Sequence, residues 1–203
     1  YDLAESYIKL KKYDRALFYH KAFEKYSLLI SPSDQRKKEL IDLRLSNSIR
    51  FINLSDYPSV VIATERNKDW LREVYGEDSE EYANNVFYSA IGFNGVGNTE
   101  KANECFTTAY NLLKGINQYS TFRIQSIYYL ALNSMYEKDY ATATKLMEEA
   151  NQLFIHNNNS KLKQKLLRLE IELDFNTKKH EEMYVAMEEL QKYLNEDPSI
   201  HDE

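Results

Sequence analysis

Turn-forming residues are scarce in this chain. Its 203 residues include five glycines and three prolines, where the two together ordinarily make up roughly 12% of a protein. Sandwiches, barrels and α/β folds consume both residues in their many tight turns, so the scarcity argues against all three. Cys105 is the one cysteine, which excludes an internal disulfide and a multi-cysteine zinc site. No stretch approaches the ~18 consecutive apolar residues that a membrane-spanning helix needs. A basic excess is missing too. The net charge of −6 gives a phosphate backbone nothing to be drawn to, so nucleic acid is not an expected partner. What the chain does have is aromatic and apolar mass: 17 Tyr, nine Phe, and a hydrophobic content of 43%, enough for a core. The expectation is an all-α protein.

The few breakers fall at intervals. Gly76, Gly95, Gly97 and Gly115 each follow a stretch patterned as helix, where a left-handed closing residue is expected. Pro32 and Pro58 lie in Ser31-Pro32-Ser33-Asp34 and Ser55-Asp56-Tyr57-Pro58, which read as helix starts. Asp78 followed by Glu81 has the spacing of a capping box, and Asn157-Asn158-Asn159-Ser160 reads as a polar turn. Only Gly92 interrupts a helix interior. The chain is thereby cut into helical segments of roughly 15 to 20 residues with short connections, as antiparallel helix pairs require.

These segments repeat. Aligned on Ala16, Val60, Ala102, Ala143 and Met183, the chain advances in steps of 44, 42, 41 and 40 residues. Three residues before each anchor stand Tyr13, Tyr57, Thr99, Tyr140 and His180, four of them aromatic. Twelve before stand Ala4, Ser48, Ala90, Ala131 and Ile171, four of them small. Nine before stand Tyr7, Phe51, Phe93, Ser134 and Asp174; seven after stand Phe23, Asn67, Ala109, Ala150 and Leu190. A small residue on the first helix of a pair lets the second approach closely. The anchor near the start of the second helix is the matching contact, and the aromatic before it covers the turn. An isolated pair would leave an apolar stripe open, so pairs must stack. Asp174 and Asn67 occupy columns that are usually apolar, which predicts irregular packing in the second and fifth units.

Tyr13-Asp14-Arg15-Ala16, Leu3-Ala4 with Tyr7, and Ala102, Phe106 and Ala109 resemble tetratricopeptide repeats (TPR). The familiar unit is ~34 residues. The longer step here resembles the kinesin-light-chain type, and Tyr75-Gly76-Glu77-Asp78 followed by Tyr82-Ala83 is similar to the loop and helix start of that longer unit. The resemblance implies a right-handed α-α superhelix of about five helical hairpins in a single domain, with units at about 1–30, 34–76, 79–116, 120–157 and 160–195. Residues 196–203 are expected to be an acidic tail or linker. The chain begins without Met and part-way along its first unit, so it is expected to belong to a longer bacterial protein, a source suggested by the Lys-, Asn-, Tyr- and Ile-rich composition. The compartment expected is the cytoplasm, with the periplasm as alternative.

No residue set offers catalysis. The four histidines, His20, His156, His180 and His201, lack metal-ligand spacing, and no metal or other cofactor is expected. Cys105 is expected to act as a small hydrophobe inside a helix. Gly92-Phe93-Asn94-Gly95-Val96-Gly97 lacks the order and the Lys-Ser/Thr of a phosphate loop and reads as a helix end. Adjacent acids such as Glu148-Glu149 point apart on a helix, and the basic runs Arg36-Lys37-Lys38 and Lys161 to Arg168 read as solvated faces. Ile127, Leu130 and Ala131 coincide with packing columns, not with a membrane-binding face.

The resemblance implies instead a concave surface, lined by the first helices of successive units, that binds an extended or helical peptide from a protein partner. Counting from the anchors places Asn84, Phe87 and Asn94, then Gln125, Tyr128 and Met135, then Arg168 on that surface as the binding residues. Asp42, Leu45, Ile49, Ile91, Leu132, Lys165 and Glu172 share the row. Asn84 and Gln125 can both donate and accept, Phe87 and Tyr128 offer area at low entropic cost, and Arg168 can grip a carboxylate bidentately. The reading is a non-enzymatic protein-interaction scaffold with no membrane contact of its own. Its alternative is the ligand-sensing TPR domain of a bacterial transcriptional regulator or signalling kinase, attached to an output domain.

Overall fold

A computed structural model describes residues 6–7, 10, 12–27, 34–117 and 119–196. Among these, every regular element is a helix: α1 Tyr13–Ser27, α2 Asp34–Asn53, α3 Tyr57–Val74, α4 Glu80–Gly95, α5 Thr99–Ile116, α6 Thr121–Tyr136, α7 Tyr140–Phe154, α8 Ser160–Thr177 and α9 His180–Glu196. None is long and apolar enough to cross a membrane. Two compact units result, Tyr1–Leu112 and Leu113–Glu203. In the first, α1 packs on α2, α2 on α3, α3 on α4, and α2 also touches α4. In the second, α6 packs on α7, α7 on α8, α8 on α9, and α6 touches α8. The helix start expected at Pro32, just ahead of α2, lies outside the described residues, as do residues 197–203 of the tail expected at 196–203, whose first residue, Glu196, ends α9.

One backbone turn recurs five times at the period of the sequence. The amide N–H of Lys12, Asp56, Asn98, Asp139 and Lys179 donates to the carbonyl five residues earlier, on Tyr7, Phe51, Phe93, Ser134 and Asp174, at 2.8 to 2.9 Å. These acceptors are the column nine before each anchor. Such a bond closes a helix through a left-handed residue, and Ser55, Gly97, Lys138 and Lys178 supply it with φ of 55°, 80°, 64° and 62°. The next helix then starts at once. Asp56, Asn98 and Asp139 cap it by accepting from the amides of Ser59, Lys101 and Thr142. Each anchor amide, from Ala16 to Met183, donates to the backbone carbonyl of the capping position.

Three of the four left-handed residues are not glycine. Glycine was expected to mark the helix ends, yet only Gly76 and Gly97 have positive φ. Gly95 is the last residue of α4, and Gly115 lies within α5. Gly95 is needed for space: a Cβ there would overlap the ring of Tyr57, the aromatic expected to cover a turn. Gly92 serves the same end, since its Cβ would sit 2.9 Å from Val61 Cγ2 and 3.2 Å from Val60 Cβ. The neighbouring helix α3, not a ligand, takes up that room. The cap of α4 is also one residue later than the expected Asp78: Ser79 Oγ accepts from the Tyr82 amide at 3.2 Å.

The repeat columns form the interior. Ala16, Val60 and Ala102 are fully buried and Ala143 nearly so, as are Ser48, Ala90 and Ala131 opposite them. Phe51, Val60 and Ala63 make one cluster with Leu17 and Ile52 against it. The polar exceptions are built in. Asn67, fully buried, donates from Nδ2 to the Ile41 carbonyl at 3.2 Å, tying α3 to α2. Asn85 donates likewise to the Thr64 carbonyl at 3.0 Å, tying α4 to α3. Arg123 is buried on α6 and pairs with Glu149 of α7 at 2.6 Å. Asp174 is different: burial, with Glu182 adding, raises its carboxyl above the usual range, and Lys179 only partly opposes this.

Three substitutions test this account by urea unfolding. Lys138→Gly, at an exposed left-handed position, should stabilise the protein by about 0.5–1 kcal/mol, and Gly97→Ala should cost about 1 kcal/mol. Asp174 binds its proton more tightly folded than unfolded. Its ionisation therefore costs stability above the raised folded pKa and costs nothing below the ordinary 3.8. Asp174→Asn should be more stable than the parent at neutral pH, with the gap closing as the pH falls toward 3.8.

Candidate functional site

In the first unit, α2 and α4 present the first-helix face. Asp42 and Ile49 are exposed and Leu45 is half-buried on α2. On α4, Asn84 and Asn94 are half-buried, and Asn84 Oδ1 is buried without a hydrogen-bond donor. Phe87 departs from expectation. It is 3% exposed, with its ring 5.9 Å from that of Phe106 on α5, so it supports the helix from inside and offers nothing to a ligand.

In the second unit the corresponding face lies on α6 and α8. Gln125 and Tyr128 are half-buried on α6, and Arg168 and Glu172 are exposed on α8. The Tyr128 ring meets Tyr129 edge-on at 5.1 Å. Burial raises the Tyr128 phenol, Tyr136 and Glu172 push the same way, and Arg168 opposes them. The phenol therefore stays protonated at neutral pH, within electrostatic reach of one cation and one carboxylate. Such a group can donate to a carbonyl while the guanidinium takes a carboxylate. Met135 is the second correction: at 4% exposure it is part of the core at the end of α6.

Counting along first helices missed the other side of the first unit, where second helices meet. A cavity of about 440 Å³ opens between α1 and the start of α3, with Lys21, Lys25, Phe51, Asp56, Ile62 and Arg66 in its wall. A smaller one, about 210 Å³, lies between α3, α4 and α5 and includes Asn85, Ser89 and Cys105. The available signal was spacing. Lys21 and Lys25 stand four apart on one helix, as do Ile62 and Arg66 on another, and such pairs share a face.

No protein-family model and no curated protein matches this sequence. Solved structures do. The crystal structure of BtubC (BKLC) from P. vanneervenii is similar with a TM-score of 0.76 at 12% identity, covering 99% of this chain and 79% of that one. A kinesin light chain structure with nearly identical TPR-like repeats, from Podosopora anserina, gives a TM-score of 0.53 at 14% identity, over 80% of this chain and 87% of that one. The fold is that of TPR-like repeats.

Cys105 is half-buried on α5. Burial raises its thiol above 9.0 and Glu65 adds to the shift, against smaller opposing effects from Lys68 and Ser89. The thiolate is the reactive form. At neutral pH Cys105 should therefore label with a maleimide at least about tenfold more slowly than free cysteine, and the rate should climb steeply above pH 9.0, as followed by intact mass.

Proposed function

We propose that this chain is a non-enzymatic protein-interaction module, a scaffold within a larger bacterial protein, that binds a peptide segment of a partner along its first-helix faces. The observation that carries the reading is the setting of Tyr128. A half-buried, neutral phenol on α6 stands with Gln125 on the same helix, beside Arg168 and Glu172 of the adjoining first helix. An aromatic anchor next to an arginine is the composition that most often concentrates binding energy. Asn84 and Asn94 on the first unit's face extend the same chemistry, since a carboxamide can pair with a peptide backbone in either sense. The division into five repeating units, with boundaries near 30, 76, 116 and 157, belongs to the same reading.

A displayed peptide library selected on this chain should yield ligands whose affinity falls at least about tenfold with Tyr128→Ala and Arg168→Glu combined. Fluorescence polarisation with the selected peptides reads the loss. Peptides that bind the double variant as well as the parent would place the binding surface elsewhere. Phe87→Ala should instead act on stability, at about 3–5 kcal/mol for an emptied aromatic site.

A further inference from the structure

Two second helices, α3 and α7, are each covered by the first helix of the next hairpin, α4 and α8. The columns that take the cover can be read from the contacts. On α3 they stand one, four and eight residues after the anchor Val60, at Val61, Thr64 and Lys68. A Cβ at Gly92 of α4 would lie 2.9 Å from Val61 Cγ2. Asn85 of α4 donates to the Thr64 carbonyl at 3.0 Å, and Lys68 stands beside Asn85 in the smaller cavity. On α7 the same columns hold Thr144, Met147 and Asn151, and Asn151 Nδ2 donates to Glu170 Oε2 of α8 at 3.3 Å. Thr64 and Met147 are buried, and their companions in these columns are half-buried. Leu71 and Phe154, eleven residues after their anchors, extend the buried row.

Helix α9 repeats these columns uncovered among the described residues. Counted from Met183 they are Tyr184, Met187 and Gln191, followed by Leu194. Tyr184 is 62% and Met187 46% exposed. Gln191 is exposed and turns its amide to Asn195 of its own helix at 3.4 Å, and Leu194 is half-buried. Steps of three, four and three keep the four residues on one side of the helix, in a stripe about 15 Å long.

The border of that stripe has a sign. Glu181 and Glu188 are exposed along it, and α9 as a whole carries five glutamates against one lysine. Elsewhere in the chain an acid on a second helix meets a base on a first helix: Glu73 with Lys37 at 2.5 Å, Glu149 with Arg123 at 2.6 Å and Glu189 with Lys163 at 3.1 Å. A second copy of this chain is a poor cover, since an antiparallel pair of α9 helices would set acidic border against acidic border. We infer that the 184–194 face of α9 is a docking site for an amphipathic helix of a partner protein. That helix is seated as α4 is on α3, with apolar residues on Tyr184 and Met187 and lysine or arginine against Glu181 and Glu188.

The probe is a fluorescein-labelled peptide, Lys-Leu-Ala-Lys-Leu-Leu-Lys-Ala-Leu-Arg-Lys-Leu, which carries leucines at the spacing of the stripe. Titrated against the whole chain with polarisation as the readout, it should bind saturably, while its counterpart with Glu at every basic position should not. Glu181→Lys with Glu188→Lys should weaken binding at least about tenfold. Met187→Glu should weaken it as much, although it adds a negative charge. Circular dichroism checks the fold, and if Met187→Glu unfolds, Tyr184→Glu decides. Absent saturation, equal binding of the acidic counterpart, indifference to the Glu181 and Glu188 changes, or tighter binding by Met187→Glu, as bare charge attraction would give, each overturns the proposal. Met187→Cys then reads what covers the face. Without peptide it should take a maleimide well ahead of Cys105, and the peptide should protect it. Protection without peptide that fades on dilution would assign the face to a second copy, and protection that survives dilution to a segment of the same polypeptide; either result overturns the proposal. The combined Tyr128→Ala and Arg168→Glu variant should bind this peptide no more weakly than the parent, so α9 and the first-helix faces succeed or fail separately.

Discussion

Once in each repeat, among the described residues, a backbone amide at the hairpin turn reaches back five residues to a carbonyl, and the rest of each hairpin follows from that bond. A six-to-one closure ends one helix abruptly and turns the chain so that the next amides are ready to be capped. Asp56, Asn98 and Asp139 do so within a single residue of the left-handed position. Exit and entry are therefore fixed together. The angle between two helices of a pair is set locally, before any side chain far along them meets, and the small residues at Ser48, Ala90 and Ala131 only have to permit the approach that the turn imposes.

Packing alone would leave such helices free to slide, because alanine and valine columns are smooth. Polar bonds remove that freedom. Asn67 to the Ile41 carbonyl and Asn85 to the Thr64 carbonyl each fix one helix against the next at a single register, since a displaced carboxamide would be buried without a partner, at a cost of about 1–3 kcal/mol. Arg123 with Glu149 acts similarly in the second unit. Breaking one member of such a pair costs more than replacing both by apolar residues. Arg44, fully buried on α2, adds a stacked contact 4.4 Å over Trp70 of α3.

Much of this was legible in the sequence because it is periodic. The columns through Ala16, Val60, Ala102 and Ala143 carry the buried anchors, and the column through Phe51, Phe93 and Ser134 proved to be the carbonyl acceptors of the turns. Backbone conformation was less visible. Ser55, Lys138 and Lys178 hold left-handed positions with residue types that carry no warning of it, because the hydrogen bonds around them outweigh their intrinsic reluctance. Asn67 was visible as an exception, but not the bond that satisfies it, whose acceptor lies 26 residues away. Phe87 and Met135 were misplaced for a reason of phase. Counting from an anchor says which helix a residue is on, while the neighbour behind that helix, here Phe106 for Phe87, decides which way it faces. The Lys25 and Arg66 cavity depends on how α1 settles beside α3, a distance that no spacing rule contains.

The connection inside a hairpin is three residues long at 54–56, 96–98 and 137–139 and two at 178–179, while the full step shrinks from 44 to 40 along the chain. What stays constant is the turn bond, whose acceptor stands nine residues before every anchor, and the drift in length is shared between the helices and the links. The links that lead from one hairpin to the next, such as 75–79, 117–120 and 155–159, are where residues can be gained or lost over evolutionary time without disturbing that bond. Those same links are the natural points for splicing in a foreign segment.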